Sequence, residues 1–201
     1  DTNAQYVVSN NCGNISINNT TINAGSNANQ FAFDVCGYAK YTAGVTVTVS
    51  GTSVINGKVE ISKSAGNTEP MKLNITGGTF NGDLKVDASV GTENAKSIIS
   101  VSGGTFSDPS VLKYMATNAT VDIKLLSNIN IAKTELATGY ILNAANATAN
   151  LNLNGHDIIN SSETADATPF TQIFTVQNGT LNISGNGNVK CDASATAKDD
   201  G

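Results

Sequence analysis

Seven short stretches of the chain alternate strictly between apolar and polar residues and then turn. Each reads apolar, polar, apolar, then Ser, Thr or Asn, one or two small turn-formers, and another apolar residue. The phrase is I-S-I-N-N-T-T-I from Ile15, V-T-V-S-G-T-S-V from Val47, L-N-I-T-G-G-T-F from Leu73 and I-S-V-S-G-G-T-F from Ile99. A weaker copy, I-K-L-L-S-N-I-N, starts at Ile123; L-N-L-N-G-H-D-I follows from Leu151 and L-N-I-S-G-N-G-N-V from Leu181. The starts lie 32, 26, 26, 24, 28 and 30 residues apart. Recurrence at periods of about 20 to 50 residues is the mark of solenoids and arrays.

Alternation at period two predicts strands with one face inward and one outward. The turn positions that follow are Asn18, Asn19, Gly51, Gly77, Gly78, Gly103, Gly104, Asn154, Gly155 and Gly185, residue types that tolerate positive φ. Further short strands are expected at 31–35, 58–62, 83–87 and 172–176, so each interval holds the content of one coil of a β-helix. Seven coils stacked at the strand spacing of about 4.8 Å make a rod roughly 34 Å long, with the inward Val, Ile, Leu and Phe in one column. The rival is a β-sandwich, whose hairpins recur every 8–12 residues or so but without a longer repeated phrase. Here G-G-T-F itself recurs 26 residues apart, at Gly77 and Gly103, which favours the solenoid.

One stretch departs from the pattern. Asp108-Pro109-Ser110 supplies an N-cap and a proline suited to a first helical turn. A short helix is expected near 109–117, lying against the side of the rod, with a module joint near 108–122. Otherwise residues 1–201 read as one solenoid domain. The chain opens at Asp1, which suggests a processed form or a segment of a longer array.

Composition sharpens this reading. Asn (27), Thr (23), Gly (19) and Ser (18) fill 87 of 201 positions, only 13% of residues are charged, and every one of the 11 basic residues is Lys. With no Arg and a net charge of -5, a nucleic-acid partner is not expected. No apolar run approaches the roughly 20 residues of a membrane-spanning helix. No catalytic, cofactor or metal site is expected: the single histidine, His156, falls at a turn, and no Cys spacing matches a metal motif. Asp83 and Asp87 share one strand face but stand about 13 Å apart, too far for paired-carboxylate glycoside chemistry. Cys12 and Cys36, about one coil apart, are a candidate disulfide, which leaves Cys191 free or available to another subunit. Nine Asn-x-Ser/Thr sequons follow from the composition and from the phrase itself.

The stretches I-S-V-S-G-G-T-F-S-D-P-S from Ile99, L-N-L-N-G-H-D-I-I from Leu151 and L-N-I-S-G-N-G-N-V from Leu181 resemble right-handed parallel β-helix repeats of the pectate-lyase-like kind. Such repeats occur in surface proteins of gut bacteria and in phage fibre or head-decoration proteins. The resemblance covers most of residues 45–190 and is specific for architecture. It implies a non-enzymatic structural or adhesive solenoid, placed outside the cell, on its surface or on a virion. The partners it implies are further copies of itself, stacked head to tail by the rod ends, and host or surface glycans. The alternative it leaves is a carbohydrate-binding or polysaccharide-cleaving β-helix. Pectate lyases typically use an Arg as base, which this chain lacks.

Overall fold

In a computed structural model of the chain, residues 5–25, 27, 29–131, 139–160 and 172–191 are described. The strands are β1 (Tyr6–Val8), β2 (Gly13–Asn18), β3 (Thr21–Asn23), β4 (Phe31–Gly37), β5 (Val45–Ser50), β6 (Val54–Asn56), β7 (Lys58–Lys63), β8 (Met71–Ile75) and β9 (Thr79–Phe80). They continue with β10 (Leu84–Val86), helix α1 (Thr92–Ile98), β11 (Ile99–Val101), β12 (Thr105–Phe106), a 3-10 turn (Pro109–Tyr114), β13 (Thr120–Lys124) and β14 (Ile129–Ile131). The last are β15 (Tyr140–Asn152), β16 (Ile158–Asn160), β17 (Phe174–Ser184) and β18 (Val189–Cys191).

Among the described residues every strand pairing is parallel, which excludes the sandwich and its antiparallel hairpins. The strands stack into a β-solenoid of about 6 turns. Four walls result: β1-β4-β7-β10, β2-β5-β8-β11, the long β3-β6-β9-β12-β13-β15-β17, and β14-β16-β18. The core is one continuous cluster running the length of the rod.

The third wall carries the clearest column. Ile22, Ile55, Phe80, Phe106, Ile123, Leu151 and Ile183 are successive register partners, each inward-facing. Phe80 and Phe106 stack at 5.1 Å between ring centroids, with planes 12° apart. Outside the same wall, amides form ladders. Asn56 Nδ2 donates to Asn23 Oδ1 and Asn81 Nδ2 to Asn56 Oδ1, both at 2.7 Å. Farther along, Asn150 Nδ2 donates to Asp122 Oδ1 (3.0 Å) and Asn182 Nδ2 to Asn150 Oδ1 (2.9 Å). Asn56 and Asn150 thus each donate to the coil before and accept from the coil after, as identical side chains do in cross-β stacks.

The phrase and the register agree over the first four copies, where Ile15, Val47, Leu73 and Ile99 are partners in the second wall. They part at the 3-10 turn. Ile123 pairs with Phe106 rather than Ile99, so from there the phrase runs along the third wall. Leu151 pairs with Ile183 and not Leu181, a slip of two residues that keeps the same face inward. Seven phrases therefore build about 6 turns.

The turn itself is six residues of 3-10 helix, with Asp108 accepting the Ser110 N–H at 2.6 Å. It packs against the rod at the expected position, as a 3-10 helix that ends at Tyr114. Val111, Leu112 and Tyr114 are buried in the core, and Met115 bridges to Val101, so the turn closes the wall where strands of the second wall stop. Helix α1 is an addition that periodicity did not predict. Among the described residues no helix is long and apolar enough to cross a membrane.

Candidate functional site

Two places on the rod gather polar chemistry. The first is the corner where the first wall hands over to the second. Tight turns of two or three residues join the second wall to the third, as at 19–20, 51–53, 76–78 and 102–104. The first-to-second corner instead carries residues 38–44, 64–70 and 87–98, the last including α1. In solenoids such insertions collect on one face, often the binding face.

Backbone bonds stack these loops in order. Ser64 N–H donates to Gly37 O (2.8 Å), Ala39 N–H to Ser64 Oγ (2.7 Å), and Lys63 N–H to Ser89 Oγ (3.1 Å). Between the second loop and α1 lies a groove of about 390 Å³, lined by Lys63, Asn67, Glu69 and Lys72 over Met71 and Val90. Lys72 Nζ donates to Ser97 O at 2.7 Å, and Asn94 Nδ2 to Val90 O at 2.8 Å, which tie the helix to the groove floor. Asn67 Nδ2 donates to Glu69 O, while its buried Oδ1 has no donor. On the first loop, Tyr38 and Tyr41 stand 43% and 42% exposed, their ring centroids 5.7 Å apart.

The second place is the outer face of the first wall. Phe33, Val35, Val59 and Ile61 point inward, so the alternate residues Asp34, Cys36 and Glu60 point out. Asp34 and Glu60 are register partners on adjacent coils, yet only 3% and 9% exposed. Asp34 accepts the Asn10 N–H (2.5 Å) and the Ser9 hydroxyl (3.2 Å), and the Tyr6 hydroxyl donates to Glu60 Oε2. Both carboxylates are committed to holding β1 and the residues after it against the rod. Burial, and then the Glu60 charge, raise the Asp34 carboxyl above its ordinary value; burial also pushes the Cys36 thiol up.

This yields a pH effect. A folded-state pKa above the unfolded value of 3.8 means the folded coil holds the proton more firmly. Its contribution is full below 3.8 and is lost as pH rises through the folded value. Asp87 works the other way: Ser89 holds its carboxyl below the ordinary value, so its contribution is lost only as pH falls below 3.8. Thermal midpoints followed from pH 7 down toward 3.8 should therefore rise on acidification. Asp34→Asn, which keeps an acceptor for Asn10, should flatten that rise; an unchanged slope in the variant would show that Asp34 is not its source.

Cys12 and Cys36 are free thiols in the structure, Cys12 exposed and Cys36 half-buried. The reason is register. Partners on the first wall are 25 positions apart (6 to 31, 8 to 33), and Cys36 N–H donates to Asn10 O, so Cys12 falls one residue out of step. Cys191 ends β18, and its side chain lies outside those described. Asp83 and Asp87 flank β10 on either side, and His156 sits in the turn between β15 and β16, its N–H bonded to Leu153 O. The turn positions fall between strands or at strand ends: Asn19, Asn154, Gly51, Gly78, Gly104, Gly155 and Gly185 at positive φ, Asn18, Gly77 and Gly103 beside them. Sequence reasoning missed the buried carboxylates and the loop corner. Asp34 and Glu60 are 26 positions apart, in separate strands outside the repeated phrase, and only the register brings them together. Comparison with protein-family models, curated proteins and solved structures finds no match to this chain.

Proposed function

We propose that the chain is a non-enzymatic structural and adhesive rod, a building block of an extracellular surface structure, filament or virion fibre, whose ends stack head to tail. The observation that carries this is the third-wall column. Its first six members are no more than 8% exposed, but Ile183, the seventh, is 47% exposed. Val176 and Val189, inward by their pairing with Leu142 and Ile158, are likewise 47% and 37% exposed. Among the described residues the last coil thus presents an apolar end and edges of β17 and β18 with no further strand on them. At the other end, among the described residues, β1, β2 and β3 each pair on one side only. Unpaired parallel edges with an apolar floor invite another coil, and unlike ends that fit one another produce an open, filament-forming assembly.

The two buried carboxylates also favour a structural part over a catalytic one, since both are spent on Tyr6, Ser9 and Asn10. Sedimentation velocity over a concentration series, with electron microscopy of the same samples, tests the stacking. Linear oligomers that grow with concentration are expected, and Ile183→Asp should return them to monomers with an unchanged circular dichroism spectrum. A monomer at every concentration would sink the proposal.

A further inference from the structure

We propose that Tyr38 and Tyr41 are an oxidative cross-linking site, where a peroxidase-class one-electron oxidant working with hydrogen peroxide joins the two rings into dityrosine. This goes beyond the function proposed above and needs neither end stacking nor a bound ligand. The loop holds the pair in place. Tyr41 N–H donates to Tyr38 O at 2.9 Å, which closes a four-residue turn with Ala39 and Lys40 at its middle. Ala39 N–H donates to Ser64 Oγ (2.7 Å) and Ser64 N–H to Gly37 O (2.8 Å), so the next coil pins the base of the turn. The ring centroids stand 5.7 Å apart with planes tilted by 52°, and both side chains are exposed. Exposed side chains change rotamer in picoseconds to nanoseconds, so a small rotation brings the two ring edges together.

Little else on the surface competes for the oxidant. The chain has five tyrosines and no Trp. Tyr6 is stacked on Phe31 with its hydroxyl donated to Glu60, and Tyr114 and Tyr140 are buried, as are Met71 and Met115. Cys36 is half-buried. Among the described residues, the exposed groups that yield an electron readily are therefore these two phenols and the Cys12 thiol. Cys12 lies at the same corner one coil earlier, since Gly13 N–H donates to Gly44 O at 2.9 Å. Its thiol can quench a radical on the pair, so the test below removes it.

In the reaction each phenol gives up one electron and one proton, and the unpaired electron spreads onto the ring carbons beside the oxygen. The two radicals pair in one new carbon–carbon bond. Each joined carbon then passes its hydrogen to the phenol oxygen, which restores both rings. Peroxide takes up the two electrons and two protons, its O–O bond breaks, and it leaves as two waters. A ring held in the same turn meets the radical far more often than a second chain does, so the bond forms within one molecule. The bridge spans Lys40, which is exposed. Exposed loop tips are where proteases nick a chain, and a cut after Lys40 would leave a bridged loop still joined.

The test treats the whole chain carrying Cys12→Ser with a haem peroxidase and hydrogen peroxide, beside free tyrosine as a control for the oxidant. Dityrosine fluorescence is expected in a product of single-chain size whose mass is lower by two hydrogens. Trypsin cuts after Lys40 and Lys58, with no Lys or Arg between or before them, so peptides 1–40 and 41–58 should emerge joined as one species. Tyr38→Phe and Tyr41→Phe keep the ring and remove the hydroxyl. Each should abolish both signals while the circular dichroism spectrum stays unchanged. Fluorescence and linkage that survive either substitution, a product of double-chain size, or an unmodified chain where free tyrosine couples overturns the inference.

Discussion

Phe80→Ala is expected to lower the stability of the rod by about 3–5 kcal/mol, the range for emptying a buried phenylalanine site. Phe80 is 1% exposed and lies mid-column, with Ile55 before it and Phe106 stacked after it. The cavity left would face fixed β-strands on both sides, which cannot collapse into it without breaking ladder bonds. Loss of the aromatic pair adds about 0.5–1.5 kcal/mol to the transfer loss. Domain stabilities are typically about 5–15 kcal/mol, so this is a large share of the whole. In a solenoid each coil leans only on its neighbours. A break at Phe80 should therefore also divide urea unfolding, followed by circular dichroism, into two steps. Phe80→Leu refills most of the volume and should cost less than half as much, which keeps the test informative if the alanine variant does not fold. A drop below about 1 kcal/mol for Phe80→Ala would mean that the column does not carry the rod's stability.

How far the sequence revealed this architecture depends on what repeats. The alternation at Val47, Leu73 and Ile99 encodes inward faces directly, because a pleated strand has a side-chain period of two, and G-G-T-F marks the same corner on successive coils. Parallel stacking then follows from chain geometry. Periodicity does not say which wall a phrase occupies. The 24-residue step from Ile99 to Ile123 looks like one more coil, but the 3-10 turn has replaced a strand, and Ile123 moves to the wall of Phe106. Helix α1 escaped for a related reason. It spans seven residues, and among its described side chains only Ala95 is fully buried, too little for a period of 3.6 to register. The candidate sites were less legible still. Asn67, Glu69 and Lys72 belong to no motif in the sequence, and only stacking sets them beside α1; Cys12 and Cys36 read as partners until a register of 25 positions separates them by one step.

Gly104→Val is expected to destabilise more than any substitution at an exposed turn, by more than about 3 kcal/mol from added backbone strain and overpacking. Gly104 has φ +116°, where side chains with a Cβ are strained, and a Cβ built there stands 3.0 Å from Gly78 O. That same oxygen accepts the Thr105 N–H at 2.8 Å, and Gly104 O accepts the Asp122 N–H at 3.0 Å. One added side chain thus presses on the carbonyl that joins its coil to the one before, while its own carbonyl joins the one after. Gly155→Ala supplies the control. Gly155 also has positive φ, +82°, but nothing lies within 4 Å of a Cβ there. Only conformational strain remains at that site, about 1–2 kcal/mol. Hydrogen exchange at Thr105 and Asp122 distinguishes the two effects: protection should fall at both in Gly104→Val and stay near the parent level in Gly155→Ala. Equal losses in the two variants would show that the glycine corner is chosen for φ alone and that coil-to-coil contact there is slack.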